Sequence, residues 1–393
     1  MALTGIRVID LTRILAGPFC TQLLADMGAD VVKIESPGGG DPVRGQGAMR
    51  DGVSWYFAQF NRNKRSLALD LRREEGKAVL ADLLRGADVL VENYRPGVLA
   101  EMGFGPHRLA ELNPRLVVGH VTGYGSTGPY VDRPSFDFIA QAMSGFMSVN
   151  GEPDGPPLRA APPMSDLIAG LYCAFGVVCA LQARGRTGQG QHVESSLTNG
   201  LVSLMAYLSA HTLETGTAPV RTGNDHPIAA PYGLYAASDG HIAVAPSNDV
   251  YVARFLGAIG IAEVLAEPDF ADNAARVRNK ARLRALIEAR TRERPVAEWI
   301  DVINRAGCPC GRVMDLVEAL DDPQIRAQEM VLEVDHPGHG PVRMTGFPVK
   351  LSATPCRVRA PAPDLGADSD AVLAGYGLDA ARIAALRAAG VVG

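Results

Sequence analysis

Strand-length and helix-length apolar runs alternate over the first 125 residues, and this limits the fold more than any other feature of the chain. GIRVIDL (5–11) is a compact apolar run of strand length. GPFCTQLLADMG (17–28) follows and opens on Gly17-Pro18; proline suits a first helical position because its missing N–H is not needed there. ADVVKIE (29–35) is the next strand, and SLALDL (66–71) precedes a predicted helix, EEGKAVLADLLRG (74–86). The two leading glutamates of that helix suit the positive end of its dipole. ADVLVENY (87–94) and LVVGHVTGYG (116–125) are further strands. Alternation of this kind specifies an α/β fold with a mostly parallel sheet covered on both faces.

Residues 135–151 and about 197–216 read as helices. Residues 1–216 form the N-terminal part of a large domain, and the Gly- and Pro-containing stretch 217–231 reads as a linker. From 232 the pattern changes. PYGLYAASDGHIAVAP reads as a hairpin turning at Asp239-Gly240. Helical stretches follow, so residues 232–325 read as a smaller α+β domain. Residues 326–340 read as a second linker, although LEVDHPGHGPVRMTGFPVKLS (332–352) returns to strand-like alternation. Residues 341–393 complete the large domain and end in an alanine-rich helix over 370–390.

Bulk properties remove several function classes. With 47% hydrophobic and 21% charged residues over 393 positions, the chain reads as an ordinary soluble protein of two domains. A net charge of −5 offers no basic face, so no nucleic-acid partner is expected. No run of about 18 uncharged apolar residues appears, so no membrane span is expected. The opening MALTGIRVIDLTRI has no basic segment ahead of an apolar core, and a cytoplasmic location is the expectation. Cys308 and Cys310 are the only close cysteine pair and the eight histidines are scattered, so no metal site is expected. TRILAGPFCTQ carries one glycine where a dinucleotide site wants G-x-G-x-x-G. Tyr124 stands where the first glycine of G-x-S-x-G belongs.

SDLIAGLYCAFGVVCALQARGRTGQGQHVESSL (165–197) places Asp166 at the mouth of an apolar helix with no second charge before Arg184. Two readings stand. An aspartate there caps free N–H groups, for about 1 kcal/mol. The same surroundings keep a carboxylate ionised and supply donors for an oxyanion, which suits attack on a thioester.

Several segments resemble the CaiB/BaiF family, the class III CoA transferases: GIRVIDLTRILAGPFCTQLLADMGADVVKIESPGGGD (5–41), NRNKRSLALDL (61–71), DVLVENYRPGVL (88–99), NPRLVVGHVTGYGSTGP (113–129), the Asp166 segment and GFPVKLSATPCRVRAPAPDLG (346–366). The resemblance implies a Rossmann-like large domain built from both chain ends, a smaller α+β domain and an interlocked homodimer. It implies Asp166 as the catalytic nucleophile, acting through an aspartyl anhydride and an aspartyl-CoA thioester. It implies no permanently bound cofactor, the coenzyme A thioester being a substrate, with acyl-CoA and a free carboxylic acid as the small-molecule partners. Coenzyme contacts carry over to Leu15, Ala16, Leu69, Arg72, Asn93, Tyr94, Arg95, Phe136 and Asp137, with Arg44 as a further anion contact. One departure concerns phosphate binding: Glu101 stands where the family often has arginine. The acyl pocket is expected to take Asn224, Ser247 and Asn248, whose small polar side chains suit a dicarboxylate. Succinyl-CoA is the expected donor.

The family also contains α-methylacyl-CoA racemases. Their base positions fall on Phe136 and near Asn248, and neither side chain titrates, so transfer is favoured over proton abstraction. A non-catalytic CoA-binding protein is the reading from another class, and the intact Asp166 motif weighs against it.

Overall fold

The computed structural model describes residues 1–393. The chain divides into a large unit, Met1–Met147 with Arg159–Thr217 and Gln324–Gly393, and a small unit, Ser148–Leu158 with Ala218–Pro323. In chain order the first strands are β1 (Arg7–Asp10), β2 (Asp30–Glu35), the two-residue hairpin β3 (Met49–Arg50) and β4 (Val53–Ser54), β5 (Lys64–Ala68), β6 (Val89–Glu92), β7 (Val117–Thr122) and β8 (His192–Ser196). Six of these form one parallel sheet in the order β5-β2-β1-β6-β7-β8. The chain winds outward from β1, returns to β6 and winds out the other way. That reversal opens a crevice at the carboxyl ends of β1 and β6, where doubly wound sheets bind ligands.

The helices before residue 217 are α1 (Ala16–Asp26), α2 (Trp55–Asn61), α3 (Glu74–Arg85), α4 (Pro106–Leu112), α5 (Asp137–Met143), α6 (Phe146–Val149), α7 (Met164–Thr187), α8 (Leu197–Ser203) and α9 (Ala206–Thr215). Val8, Val31, Val89, Val91 and Val117 face Cys20 and Leu24 of α1 and Ala169, Cys173 and Val177 of α7. Ile9, Val32, Leu67, Leu90 and Val118 face Val79, Leu80 and Leu83 of α3. Because both faces are covered, β1, β2, β6 and β7 carry consecutive apolar residues, while β5 and β8 at the edges are more polar. The C-terminal residues Val372, Leu373, Ile383, Leu386 and Val392 join the second face, so both chain ends build the large unit. They add no strand to its sheet, only a bridge between Leu69 and Val392.

In the small unit β9 (Gly233–Ala236), β10 (His241–Val244) and β11 (Cys310–Arg312) form an antiparallel sheet around Phe255, Phe270, Ile287 and Trp299. Residues 148–158 belong to this unit, where the sequence read a loop of the large domain. Arg221 explains it: its guanidinium donates to the carbonyls of Glu152 (3.2 Å) and Gly155 (2.6 Å). The stretch 326–340 is not a linker. It contains β12 (Val331–His336) and the start of β13 (Gly340–Thr345), a hairpin whose Val334, Val342 and Met344 pack on Trp55. Two predicted helices are split. Gly145, at φ 84°, separates α5 from α6, and Leu204-Met205 interrupt 197–216 between α8 and α9.

By length and composition α7 is apolar enough to cross a membrane, which the count of uncharged residues did not expose. In the large unit one side packs on α1 and the sheet, while Leu171, Tyr172, Phe175 and Val178 stay exposed. Its fit depends on Gly170: a Cβ there would stand 2.4 Å from the Ala16 carbonyl oxygen. Gly170→Ala is expected to push α7 off α1 at a loss of about 1–3 kcal/mol. Urea unfolding checks the stability loss. Because Asp166 lies one turn away, kcat should fall further than the stability loss explains, and wild-type kcat would contradict this packing.

Candidate active site

A buried charge network shapes the turn after β1. Asp10 and Lys64 are fully buried and 3.1 Å apart, and the Thr12 and Thr21 hydroxyls donate to Asp10 at 2.5 and 2.7 Å. Lys33, also fully buried, pairs with Asp41 at 2.9 Å and donates to the Thr12 carbonyl at 2.8 Å. Asp41 in turn accepts the Ile14 N–H at 3.1 Å. Burial opposes the Asp10 charge, but Lys64 and Lys33 outweigh it and hold that carboxyl below its ordinary value. Burial brings Lys64 down to about 8, against the pull of Asp10. Held this way, Ile14 takes a left-handed conformation (φ 70°), which β-branched residues rarely adopt. Asn93 secures the turn from β6, accepting the Arg13 N–H (3.0 Å) and donating to the Arg13 carbonyl (2.9 Å).

The turn borders a cavity of ≈ 390 Å³ at the carboxyl ends of β1, β6 and β7. Residues 13–16, 93–96, 121–125 and 133–136 line it, together with Asp166. Leu15, Ala16, Asn93, Tyr94, Arg95, Phe136 and Asp166 therefore meet in one place. Arg13 and Arg133 also reach the cavity and were not singled out in the sequence. With Arg95 they give it three guanidinium groups without a carboxylate partner; Arg13 lies over the Tyr94 ring and Arg133 over the Tyr130 ring.

Asp166 is not the cap of α7. Asp137, at the start of α5, fills that role from 29 residues upstream of Asp166: one oxygen accepts the Ser165 N–H (3.0 Å) and hydroxyl (2.9 Å), and the other accepts from Gln141 (2.7 Å). The Asp166 carboxyl receives no hydrogen bond from the protein and has no ion-pair partner. Burial, then the like charge of Asp137, pushes it from 3.8 up to about 7. Tyr56 was also missed by the sequence reading. Burial, then the Asp166 carboxylate, raises its hydroxyl to about 12, placing a neutral phenol in the field of Asp166. Phe136 is 70% exposed at the cavity.

Other expected contacts do not line the cavity. Leu69 is buried in the apolar core behind the sheet. Arg72 is exposed, and its guanidinium turns back onto Asp70 at 2.9 Å. Arg44 is no open anion contact: it holds Glu35 at 2.7 Å through two nitrogens, donates to the Pro363 carbonyl and stacks on Phe57. Asp137 stands behind the cavity wall, bound to Ser165. Asn224, Ser247 and Asn248 lie in the small unit. Asn224 borders a cavity of ≈ 300 Å³ there, with Arg284 and Glu288. Asn248 caps the helix Asp249–Ala258, its amide oxygen accepting the Tyr251 N–H at 3.1 Å.

The sequence pattern of CoA-transferase family III matches residues 3–369. The chain belongs to that family. It is a CoA-transferase. It is 41% identical to the acetyl-CoA:oxalate CoA-transferase of Acetobacter aceti, over 88% of each chain. It is 37% identical to the succinate–glutarate CoA-transferase of Agrobacterium fabrum, over 95% of each. A solved CaiB/BaiF family protein from Brucella suis superposes with a TM-score of 0.84 at 36% identity, covering 95% of this chain and 99% of that one.

The raised Asp166 value has two consequences. The folded state resists the charge, so this group's contribution to stability is whole below 3.8 and is lost as pH rises toward about 7. Asp166→Asn should therefore melt higher than wild type above about pH 7, with the gap closing in acid. For the transferase reaction, kcat/KM should rise with pH through about 7. Asp137→Asn keeps an acceptor for Ser165 but removes the like charge, and should move that acid limb to lower pH. An unmoved limb in a pH–rate profile would contradict this coupling.

Proposed function

We propose that the enzyme moves coenzyme A from an acyl-CoA donor to a short dicarboxylate through covalent intermediates on Asp166. The observation that carries this reading is a carboxyl at the cavity, free of hydrogen-bond and ion partners, while Asp137 does the capping. The ionised Asp166 oxygen attacks the thioester carbonyl and expels CoA thiolate, giving a mixed anhydride. The thiolate attacks the Asp166 carbonyl of that anhydride, releasing the donor acid and leaving an aspartyl-CoA thioester. The acceptor carboxylate attacks the thioester and frees the thiolate again. Attack of the thiolate on the acceptor carbonyl then yields acceptor-CoA and the original carboxylate. Each step exchanges one acyl bond for another, so one difficult exchange becomes several easier ones.

Arg13, Arg95 and Arg133 supply cationic groups for the coenzyme phosphates in place of the family arginine lost at Glu101. Succinyl-CoA is our assigned donor, with a dicarboxylate of about C4–C6 as acceptor. The names of the relatives, which pair CoA thioesters with oxalate or glutarate, support a dicarboxylate class. Acceptor choice is assigned to Asn224, Ser247 and Asn248. Asn248→Asp keeps the helix cap and is the cleaner probe there than alanine. Proton abstraction is the weaker reading, because Phe136 occupies the base position and accepts no proton. The six cysteines are unpaired, which fits a cytoplasmic enzyme.

Asp166→Asn should lose transfer activity by about three or more orders of magnitude. A matrix of CoA thioesters against free acids, read by product mass, checks both halves of the assignment. Activity of the variant within tenfold of wild type would remove Asp166 from the mechanism. Rapid transfer only to monocarboxylates would remove the dicarboxylate.

We also assign an interlocked homodimer. The exposed apolar residues of α7 and α8, Phe175 at 67% and Val202 at 47% among them, make a surface that a second copy covers. Sedimentation at nanomolar protein should show only dimer, with dissociation and unfolding coinciding. A folded, active monomer would contradict this assignment.

A further inference from the structure

Three titratable side chains lie abreast beneath the cavity loops. Glu92 on β6 is in register with His120 on β7, and His120 with Glu194 on β8. Glu92 is 4% exposed. One of its oxygens lies 3.2 Å from His120 Nε2, and the other accepts the Tyr94 N–H at 2.8 Å. Nε2 is also 3.3 Å from the Tyr94 carbonyl. Across the ring, Nδ1 is 3.3 Å from Ser126 Oγ, and the Ser126 hydroxyl donates to Glu194. The transfer reaction uses none of these four side chains. Tyr94 and Gly125, however, line the cavity, so the group ties together the loops after β6 and β7.

The hydrogens can be counted. Ser126 has one hydroxyl hydrogen, and it goes to Glu194. Nδ1 must then supply the hydrogen in its own contact with Ser126. Nε2 faces a carbonyl and a carboxyl oxygen, so a second hydrogen lies on that side, on Nε2 or on Glu92. Together His120 and Glu92 hold one proton more than a neutral imidazole beside a carboxylate. The other charged or titratable groups facing them are Glu194, His192, the Tyr94 phenol and Arg13, whose guanidinium lies over the Tyr94 ring. Burial raises Glu92 to about 7 and lowers His120, so the extra proton is held as a pair property and leaves near neutrality. After it leaves, Nδ1 no longer donates to Ser126, and Glu92 and Glu194 flank a neutral ring.

We propose that Glu92, His120, Ser126 and Glu194 form a proton-dependent latch that positions Tyr94 and the Thr122–Ser126 loop for coenzyme A. Loss of the shared proton opens the Ser126 end of the latch and weakens coenzyme binding. These are positioning residues, and the inference rests on reading the cavity as the coenzyme site.

The test measures the Kd of free CoA by calorimetry from about pH 6 to about pH 9, around the Glu92 value. It uses full-length Asp166→Asn protein, so that the nucleophile does not titrate. Affinity should fall about three- to tenfold across that range, the scale of one hydrogen bond. Adding Glu92→Gln should abolish the pH dependence and keep the tight acid-side affinity. The glutamine amide donates to Nε2 without titrating, and its oxygen still accepts from Tyr94. Adding Ser126→Ala, an exposed position that folding tolerates, should give the weak alkaline-side affinity at every pH. A pH dependence that survives unchanged in both variants, or a flat profile in their absence, overturns the latch while leaving the coenzyme site intact. No CoA binding at any pH overturns the reading of the cavity and the latch with it.

Discussion

The site depends on charges with no access to water. Asp10, Lys64, Lys33 and Asp41 sit under the turn between β1 and α1, and the two pairs are 3.1 and 2.9 Å long. Removing one partner of such a pair leaves a buried charge uncompensated, at about 3–5 kcal/mol, so the network is retained as a unit. Its product is a backbone shape. Lys33 holds the Thr12 carbonyl, Asp41 holds the Ile14 N–H, and Ile14 is forced into a left-handed turn. Gly17 completes the turn, because a Cβ there would stand 2.4 Å from Thr12. The turn forms the wall of the cavity at the reversal of the sheet.

A second constraint acts on Asp166. α7 begins without a side-chain cap of its own, and Asp137 supplies one through Ser165. This leaves the Asp166 carboxyl unpartnered and places a like charge nearby. Both effects disfavour its ionised form. A carboxylate destabilised in the resting enzyme is a stronger nucleophile toward a thioester, because covalent attack spreads and removes its charge. Division of work between the two aspartates removes the capping reading of Asp166.

Much of the main sheet was legible in the sequence because β1, β2, β6 and β7 carry consecutive apolar residues bounded by glycine and polar residues. Asp166, Asn93 and Tyr94 were legible as parts of motifs that the family resemblance places. Long-range pairing was not legible. Arg44 looked free until Glu35 and Pro363 closed on it, and Arg72 until Asp70 did. Residues 148–158 gave no sign that Arg221 binds their carbonyls. VLEVDH alternates like a strand yet fell within the expected linker, because nothing in the sequence shows that Trp55, some 280 residues away in the chain, covers its apolar face. Arg13 was within reach of sequence reasoning: it follows β1, and ligands of doubly wound sheets bind at that edge.

The central claim is that a covalent acyl or thioester bond forms on the Asp166 carboxyl. It is tested most directly by mixing the enzyme with an acyl-CoA in the absence of acceptor, quenching with hydroxylamine and sequencing the peptides by mass spectrometry. Covalent catalysis on Asp166 yields an aspartyl hydroxamate there that depends on the thioester and falls when acceptor is supplied first. A wild-type enzyme that turns over normally yet yields no hydroxamate at Asp166, or yields it at another carboxyl, would contradict the account.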